Sequence, residues 1–447
     1  MKKHTLTEGS MVLGLISFIM PLILGQFLQQ LYNVADAWVV GNFADNASFA
    51  AVSSGGNLSF LIVGFFMGLS TGAGVIIARF YGAKDEENLR KAIHTTVLFG
   101  IVASILMTIL TTMLIPKILI LMKTPESVLP LSIEYFHIYC LGISTIIMYN
   151  MFMAIMRALG DSIRPLIFLC VSSVINIGLD LFLVAVFKMG VYGAALATVI
   201  AQGISAFLCF ITMQRGEERL RIHLNQLRIH GKILQKIVMQ GLPAGIQYSA
   251  LSIGNLVVQS HVNSFGEYAM AGLGAHAKIE GFVFIPIMSV STALATFVSQ
   301  NIGAKQWDRM KKGTILSLGV TIILAQCLGF VLYHAEPIFI RFFTDSPESI
   351  RYGAMFATRV TFFYFALSFT HAASGIMQGM SRSMTAMVTM LSSWCIIRIL
   401  YVTIALKIRH EFSLICWAYP ITWCITTAIF LTVLIRAFRK PQELIAA

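Results

Sequence analysis

The chain has 447 residues, of which 57% are hydrophobic and only 12% charged, with a mean hydropathy of +0.80. An average soluble domain carries about 25% charged residues, so this balance excludes an ordinary water-soluble globule and points to an all-α polytopic membrane protein. A net charge of +12 raises the question of nucleic acid, but the basic residues are sorted by membrane side instead of gathering in one patch, and no nucleic-acid partner is expected.

Apolar stretches long enough to carry a helix across about 30 Å of hydrocarbon recur along the whole chain. Twelve transmembrane helices are predicted, at about 11–40, 53–80, 91–115, 129–156, 165–187, 190–213, 233–262, 269–301, 313–333, 351–378, 385–406 and 413–436. With the N-terminus placed inside, 22 of the 32 Lys and Arg fall on inner segments and seven on outer ones, while Lys278, Arg359 and Arg398 lie within spans. The positive-inside bias therefore predicts both termini in the cytoplasm. The first stretch continues through Gln26, Gln29 and Gln30 without a small-residue cleavage site, so it reads as a span that also directs insertion and not as a cleaved signal peptide. Seven cysteines, none in a closely spaced ligand pair, read as buried apolar packing.

Span one carries Pro21, which removes a backbone hydrogen bond and marks a candidate hinge, then Tyr32 and Asp36 one helical turn apart. An aspartate at membrane depth costs about 2.5 to 3.5 kcal/mol on insertion scales, so it is expected to face a bundle interior or a watery cavity and to handle ions or protons. Span four contributes Met148, Met151, Phe152 and Met153, whose thioethers and aromatic face suit a cavity accepting many shapes, although most such residues face lipid or core. Span five carries Asn176 and Asp180, again four apart. Travelling outward, spans one and five both reach their aspartate late, so the two acids share a depth. Two carboxylates brought together away from water resist joint ionisation, and one proton or Na⁺ relieves the repulsion.

The segment 214–232 between the halves is polar, basic and bounded by glycine, and reads either as a solvated linker or as an amphipathic helix on anionic lipid. Span eight holds Pro286 and the remaining acid well inside a span, Glu280. His276 lies four residues before Glu280, on a shared face, and Lys278 points elsewhere. Glu280 reads from its setting as a member of an internal ion pair or as a membrane-interface residue. Arg359, His371 and Arg398 read as snorkelling or helix-to-helix contacts, with anion contact the functional alternative for the arginines.

The chain is written twice. Gly82-Ala83-Lys84 after span two matches Gly303-Ala304-Lys305 after span eight at an offset of 221 residues; at the same offset Arg90-Lys91 matches Lys311-Lys312 and Ile155-Met156 matches Ile376-Met377, and Pro21 precedes Pro243 by 222. The shared register implies duplication. Six spans per copy give both halves one orientation, hence two six-helix lobes related by a pseudo-twofold along the membrane normal, 1–213 and 233–447, joined by 214–232.

These features, with Arg157-Ala158-Leu159-Gly160-Asp161 after span four and Asn176-Ile177-Gly178-Leu179-Asp180 in span five, resemble the multidrug and toxic compound extrusion (MATE) family over essentially the whole chain. The resemblance implies two lobes around a V-shaped cavity and export of small amphipathic, often cationic organic compounds in exchange for H⁺ or Na⁺, by a monomer without organic cofactors. It further implies a coupling site of Asp36, Asn176, Asp180 and Thr198, with Tyr32 beside it, where Na⁺ is the one metal expected. The likeness of Glu280 to acids on span eight of similar transporters implies a group attracting cationic substrates or releasing protons. The family branch with acids on spans seven and ten does not transfer, because those spans lack Asp and Glu here. The alternative activity is a lipid-linked saccharide flippase of related two-lobe build. An enzyme is not expected, since no His-Glu-x-x-His, P-loop, nucleophile elbow or dinucleotide fingerprint is present.

Overall fold

A computed structural model describes residues 6–43, 46–121, 129–216 and 221–439. Lys2, Lys3, Lys123, Arg219 and Lys440, counted above in the charge distribution, and linker residues 217–220 lie outside them. The first half contains α1 (Met11–Phe43), α2 (Asn46–Gly82), α3 (Glu86–Leu121), α4 (Leu129–Leu141), α5 (Ile143–Ala158), α6 (Ile163–Asp180), a π-helical turn Leu181–Val186, and α7 (Gly190–Arg215). The second contains α8 (Gly231–Asn263), α9 (Glu267–Gly303), α10 (Trp307–Ile340), α11 (Pro347–Val360), α12 (Tyr364–Gly379), α13 (Ser383–Met390), a π-helical run Leu391–Ile397, α14 (Arg398–Ile408) and α15 (Phe412–Arg439).

Among the described residues, ten helical stretches are long and apolar enough to cross a membrane, and α4 with α5, bent by 45°, makes an eleventh. The twelfth long helix, α8, has 33 residues but a more polar sequence. The break between α4 and α5 falls at Gly142, where a Cβ would lie 2.1 Å from Val199 Cγ2 of α7. Most spans outrun their predicted bounds, because helices continue past the apolar stretch into the headgroup region: α1, with 33 residues, is about 50 Å long at 1.5 Å per residue. This lengthening corrects one expectation. Glu280 is not the remaining acid inside a span, because α10 runs through the His-Ala-Glu-Pro stretch and buries Glu336.

The inter-helix turns repeat as the sequence does. Lys84 (φ 56) and Lys305 (φ 59) both take the left-handed conformation. In each turn the next N–H reaches five residues back, from Asp85 to the Phe80 carbonyl at 3.1 Å and from Gln306 to the Asn301 carbonyl at 2.8 Å. Gly160 (φ 84) and Ser381 (φ 58), also 221 apart, do the same, with Asp161 bonded to Met156 at 3.0 Å and Arg382 to Met377 at 2.8 Å. These are helix-terminating turns in which a single left-handed residue lets two orphan carbonyls be satisfied.

By contacts the chain divides into one unit of Met20–Leu242 and another of Met1–Ile19 with Pro243–Ala447. The division runs through two helices, beside Pro21 in α1 and at Pro243 in α8. In the first unit, residues 231–242 of α8 press on α2 backbone to backbone: a Cβ on Gly72 would lie 2.2 Å from the Gly241 nitrogen. In the second, the start of α1 buries Leu15 and Phe18, and the Leu6 carbonyl accepts from Arg309 Nε at 3.1 Å and Asn301 Nδ2 at 3.4 Å.

Segment 221–230 is not an amphipathic helix, and Arg221, Asn225, Gln226, Arg228 and Ile229 are exposed while other parts of it are bound. Beyond one 3₁₀ turn at Leu224–Gln226 it is irregular, and it is pinned to its own unit. The His223 N–H donates to His94 Nε2 (3.1 Å), the His230 N–H donates to Thr95 Oγ1 (3.2 Å), and Gln214 Nε2 donates to the Ile222 carbonyl (2.7 Å). Ile222 and Leu227 join the apolar core of α2, α3 and α5, so burial of two apolar side chains outweighs the polar composition of the segment.

Candidate coupling site

Asp36 on α1, Asn176 and Asp180 on α6, Thr198 on α7 and Tyr32 on α1 meet inside the first unit. Asn176 and Asp180 are fully buried, one turn apart on the inner face of α6. Asp180 is the last residue before the π-helical turn Leu181–Val186, a widened geometry common at functional sites. The carboxyls of Asp36 and Asp180 lie within hydrogen-bonding reach of each other.

Donor accounting orders the cluster. Thr198 Oγ1 donates to the Ala194 carbonyl at 3.1 Å, which commits its single hydrogen, so in the 3.4 Å contact with Tyr32 Oη the phenol is the donor. With the Asn176 amide turned so that both ends find partners, Nδ2 donates to Asp180 Oδ2 at 2.9 Å and the carbonyl oxygen accepts from the Thr198 N–H at 3.3 Å. Asp180 is thus held by a donor on its own helix. Asp36 Oδ1 and Asp180 Oδ1 are buried without a hydrogen-bond partner, and buried polar atoms left unpaired are rare enough to need an explanation.

Such oxygens suit a small cation. Among the described residues no group of three His, Cys, Asp or Glu is placed to hold a metal ion, so a Na⁺ here would rest on the two carboxylates plus the neutral oxygens of Asn176, Thr198 and Tyr32. A proton needs less: two carboxyls hydrogen-bond to each other only if one of them carries it.

Two residues of this cluster escaped the sequence reading. Tyr135 and Tyr139, buried on α4 with rings 6.1 Å apart, lie near Tyr32, and Tyr135 also near Asp36 and Asp180. Their i, i+4 spacing was a legible signal, overshadowed by the Met and Phe run one helix later. In that run Met151 and Phe152 are buried in the core, with Met148 and Met153 packed against it. Among the cysteines, Cys140, Cys209 and Cys416 are buried as expected, but Cys327 and Cys424 stand exposed on helix surfaces.

In the second unit Glu280 Oε1 accepts from Tyr364 Oη at 3.0 Å and lies 3.9 Å from His276 Nε2. Lys278 sits over the Phe343 ring at 5.3 Å. Arg398 is buried, donating twice to Thr422 Oγ1 (3.2 and 2.9 Å) and stacked on Tyr419 and Trp394. Arg359 bonds the Met355 carbonyl of its own helix at 2.9 Å, and His371 is packed between Phe284 and Trp394.

A six-span repeat with an acid pair buried in the first copy defines a class of polytopic membrane protein built by duplication. The chain belongs to the MatE family, whose model matches residues 21–182 and 243–404, once in each half. It is 28% identical over 400 residues to a probable multidrug resistance protein, YpnP, of Bacillus subtilis (strain 168), covering 89% of both chains. It is 23% identical over 343 residues to the multidrug export protein MepA of Staphylococcus haemolyticus (strain JCSC1435), covering 77% of this chain and 76% of that one. In fold it is similar to an outward-facing multidrug resistance MATE family transporter, with a TM-score of 0.91 at 20% identity over 98% of each chain.

Proposed function

We propose that the protein exports small amphipathic, chiefly cationic organic compounds across a bacterial cytoplasmic membrane by alternating access, in exchange for H⁺ or Na⁺ bound at Asp36 and Asp180. The observation that carries this reading is the buried pairing of the two carboxyls beside Asn176, Thr198 and Tyr32. With both charged and no cation present, the pair repels across a low-dielectric gap; one bound cation removes the repulsion. Asp180, held by Asn176, stays in place, and Asp36, on the helix that carries Pro21, is the partner that moves. A cation that binds one arrangement of α1 better than another shifts the population between them, which is all that coupling requires. The resemblance to the export proteins named above supports the substrate class, and the distribution of Lys and Arg supports cytoplasmic termini. The six-helix halves, joined by 214–232, act as the moving lobes of a monomer.

The test is efflux of an organic cation dye from reconstituted vesicles under a pH gradient or a Na⁺ gradient imposed separately. Asp36→Asn is expected to abolish gradient-driven efflux while leaving dye binding intact. Efflux at the wild-type rate in Asp36→Asn under either gradient contradicts the assignment.

A further inference from the structure

A second cluster of titratable groups lies inside the other unit, away from Asp36 and Asp180 in sequence and on different helices. His276 on α9 hydrogen-bonds through Nδ1 to Glu336 Oε1 on α10 at 2.7 Å. Its Nε2 is buried and unpartnered, as is Glu336 Oε2, and stands 3.9 Å from Glu280 Oε1 one turn further along α9. Both His276 and Glu336 side chains are 1% exposed, whereas Glu280 is 17% exposed. Glu280 is therefore the only carboxylate of the three-residue cluster with access to the surroundings.

The other charged and titratable groups on the elements packed against the cluster do not neutralise it directly. Arg398 on α14 spends its donors on Thr422 and its guanidinium face on Tyr419 and Trp394, acting on Glu280 only through space. Arg359 on α11 is bonded to its own helix, and Lys278 on α9 lies over Phe343. Tyr364 on α12 donates to Glu280. Two glutamates with one through-space arginine leave a net negative charge in the interior, and an imidazolium at His276 completes the balance. An uncompensated buried charge is strongly disfavoured. The hydrogen-bond roles agree: an ionised Glu336 fixes Nδ1–H as the donor, which leaves Nε2 as the nitrogen that accepts or releases a proton toward Glu280.

We propose that His276, Glu336 and Glu280 form a second proton-binding site in the C-terminal half, loaded and emptied through Glu280. In loading, the O–H bond of a protonated Glu280 breaks as the Nε2–H bond of His276 forms, leaving Glu280 a carboxylate and His276 an imidazolium held by Glu336. Closing the 3.9 Å gap brings Glu280 Oε1, which already accepts from Tyr364 Oη, onto His276 Nε2; one carboxylate oxygen can accept both bonds. Tyr364 begins α12 directly after the 3₁₀ turn Thr361–Phe363 that interrupts this span, so its bond to Glu280 sets that break beside the proton path.

The site stands independently of the export reading, and its test does not need transport. In the full chain in lipid nanodiscs, ¹⁵N histidine spectra identify the His276 ring by its loss in His276→Gln. The wild-type ring is expected to appear doubly protonated at neutral pH, to lose that imidazolium signal in Glu336→Gln, and to titrate unchanged in Asp36→Asn. In Glu280→Gln, exchange of the Nε2 proton with solvent is expected to slow on the order of 10²-fold, the contribution of a positioned proton-transfer group. A single neutral tautomer throughout the pH range in the wild-type protein, insensitivity to Glu336→Gln, a changed titration in Asp36→Asn, or unaltered exchange in Glu280→Gln overturns the proposal.

Discussion

Asp85 shows how much one side chain does at a helix start. It precedes α3, where its Oδ1 accepts from the Asn88 N–H at 3.1 Å and its Oδ2 from Asn88 Nδ2 at 2.7 Å, satisfying one of the helix's orphan donors. Those bonds, the side-chain one foremost, hold its carboxyl below the usual aspartate range. Because the folded value is depressed, the cap's contribution is complete above the ordinary aspartate value of about 3.9 and is lost as pH falls through the folded one. Asp85→Ala is expected to cost about 1 kcal/mol at neutral pH, read as a lower Tm of the detergent-solubilised protein, and the difference from wild type is expected to shrink in strong acid. Such a cap joins residues three apart in the chain. Glu336 instead lies beyond the predicted bound of span nine at 333, and α10 carries it into the interior by running on to Ile340.

At the scale of the element, α1 carries both Pro21 and Asp36, the residues on which the proposed coupling rests. It runs unbroken through Pro21, which leaves one carbonyl without its helical donor. Its first turns pack with one unit and the remainder with the other, the division falling beside that proline. A helix anchored at one end and carrying Asp36 beyond its weak point is suited to bend there. Pro21→Ala restores the missing hydrogen bond, and substrate-stimulated proton movement in vesicles of this variant is expected to fall at least several-fold with the fold intact; unchanged coupling removes the need for a hinge. The π-helical turn after Asp180 belongs to the same scale, and nothing in the spacing of α6 foretold it.

For the whole molecule, duplication extends to backbone conformation. Lys84 and Lys305 occupy the left-handed region at equivalent turns, where an L-residue with a Cβ is strained by about 1 to 2 kcal/mol. If the turns are structural copies, Lys84→Gly and Lys305→Gly relieve similar strain, each net of the added freedom of the unfolded glycine. Each variant is expected to shift stability by less than about 1 kcal/mol, in the same direction and to a similar extent, by thermal unfolding; shifts of opposite sign argue against equivalence. The halves have diverged in their chemistry all the same. The first buries Asp180 and Asn176 beside a half-buried Asp36, and the second buries a histidine between two glutamates.

The succession of apolar helices, their duplication and the placing of Asp36 and Asp180 within apolar runs were legible because each is a local property: an apolar run, a repeated string, a charge inside a run. Transfer of side chains into hydrocarbon depends on composition over some twenty residues, and composition is written along the chain. Which acids touch, whether 221–230 floats or packs, that Tyr135 lies near the aspartates, and that Glu336 reaches His276 depend instead on how helices distant in sequence pack side by side. Packing selects among many faces that hydropathy leaves equivalent, so only the tertiary structure decided them.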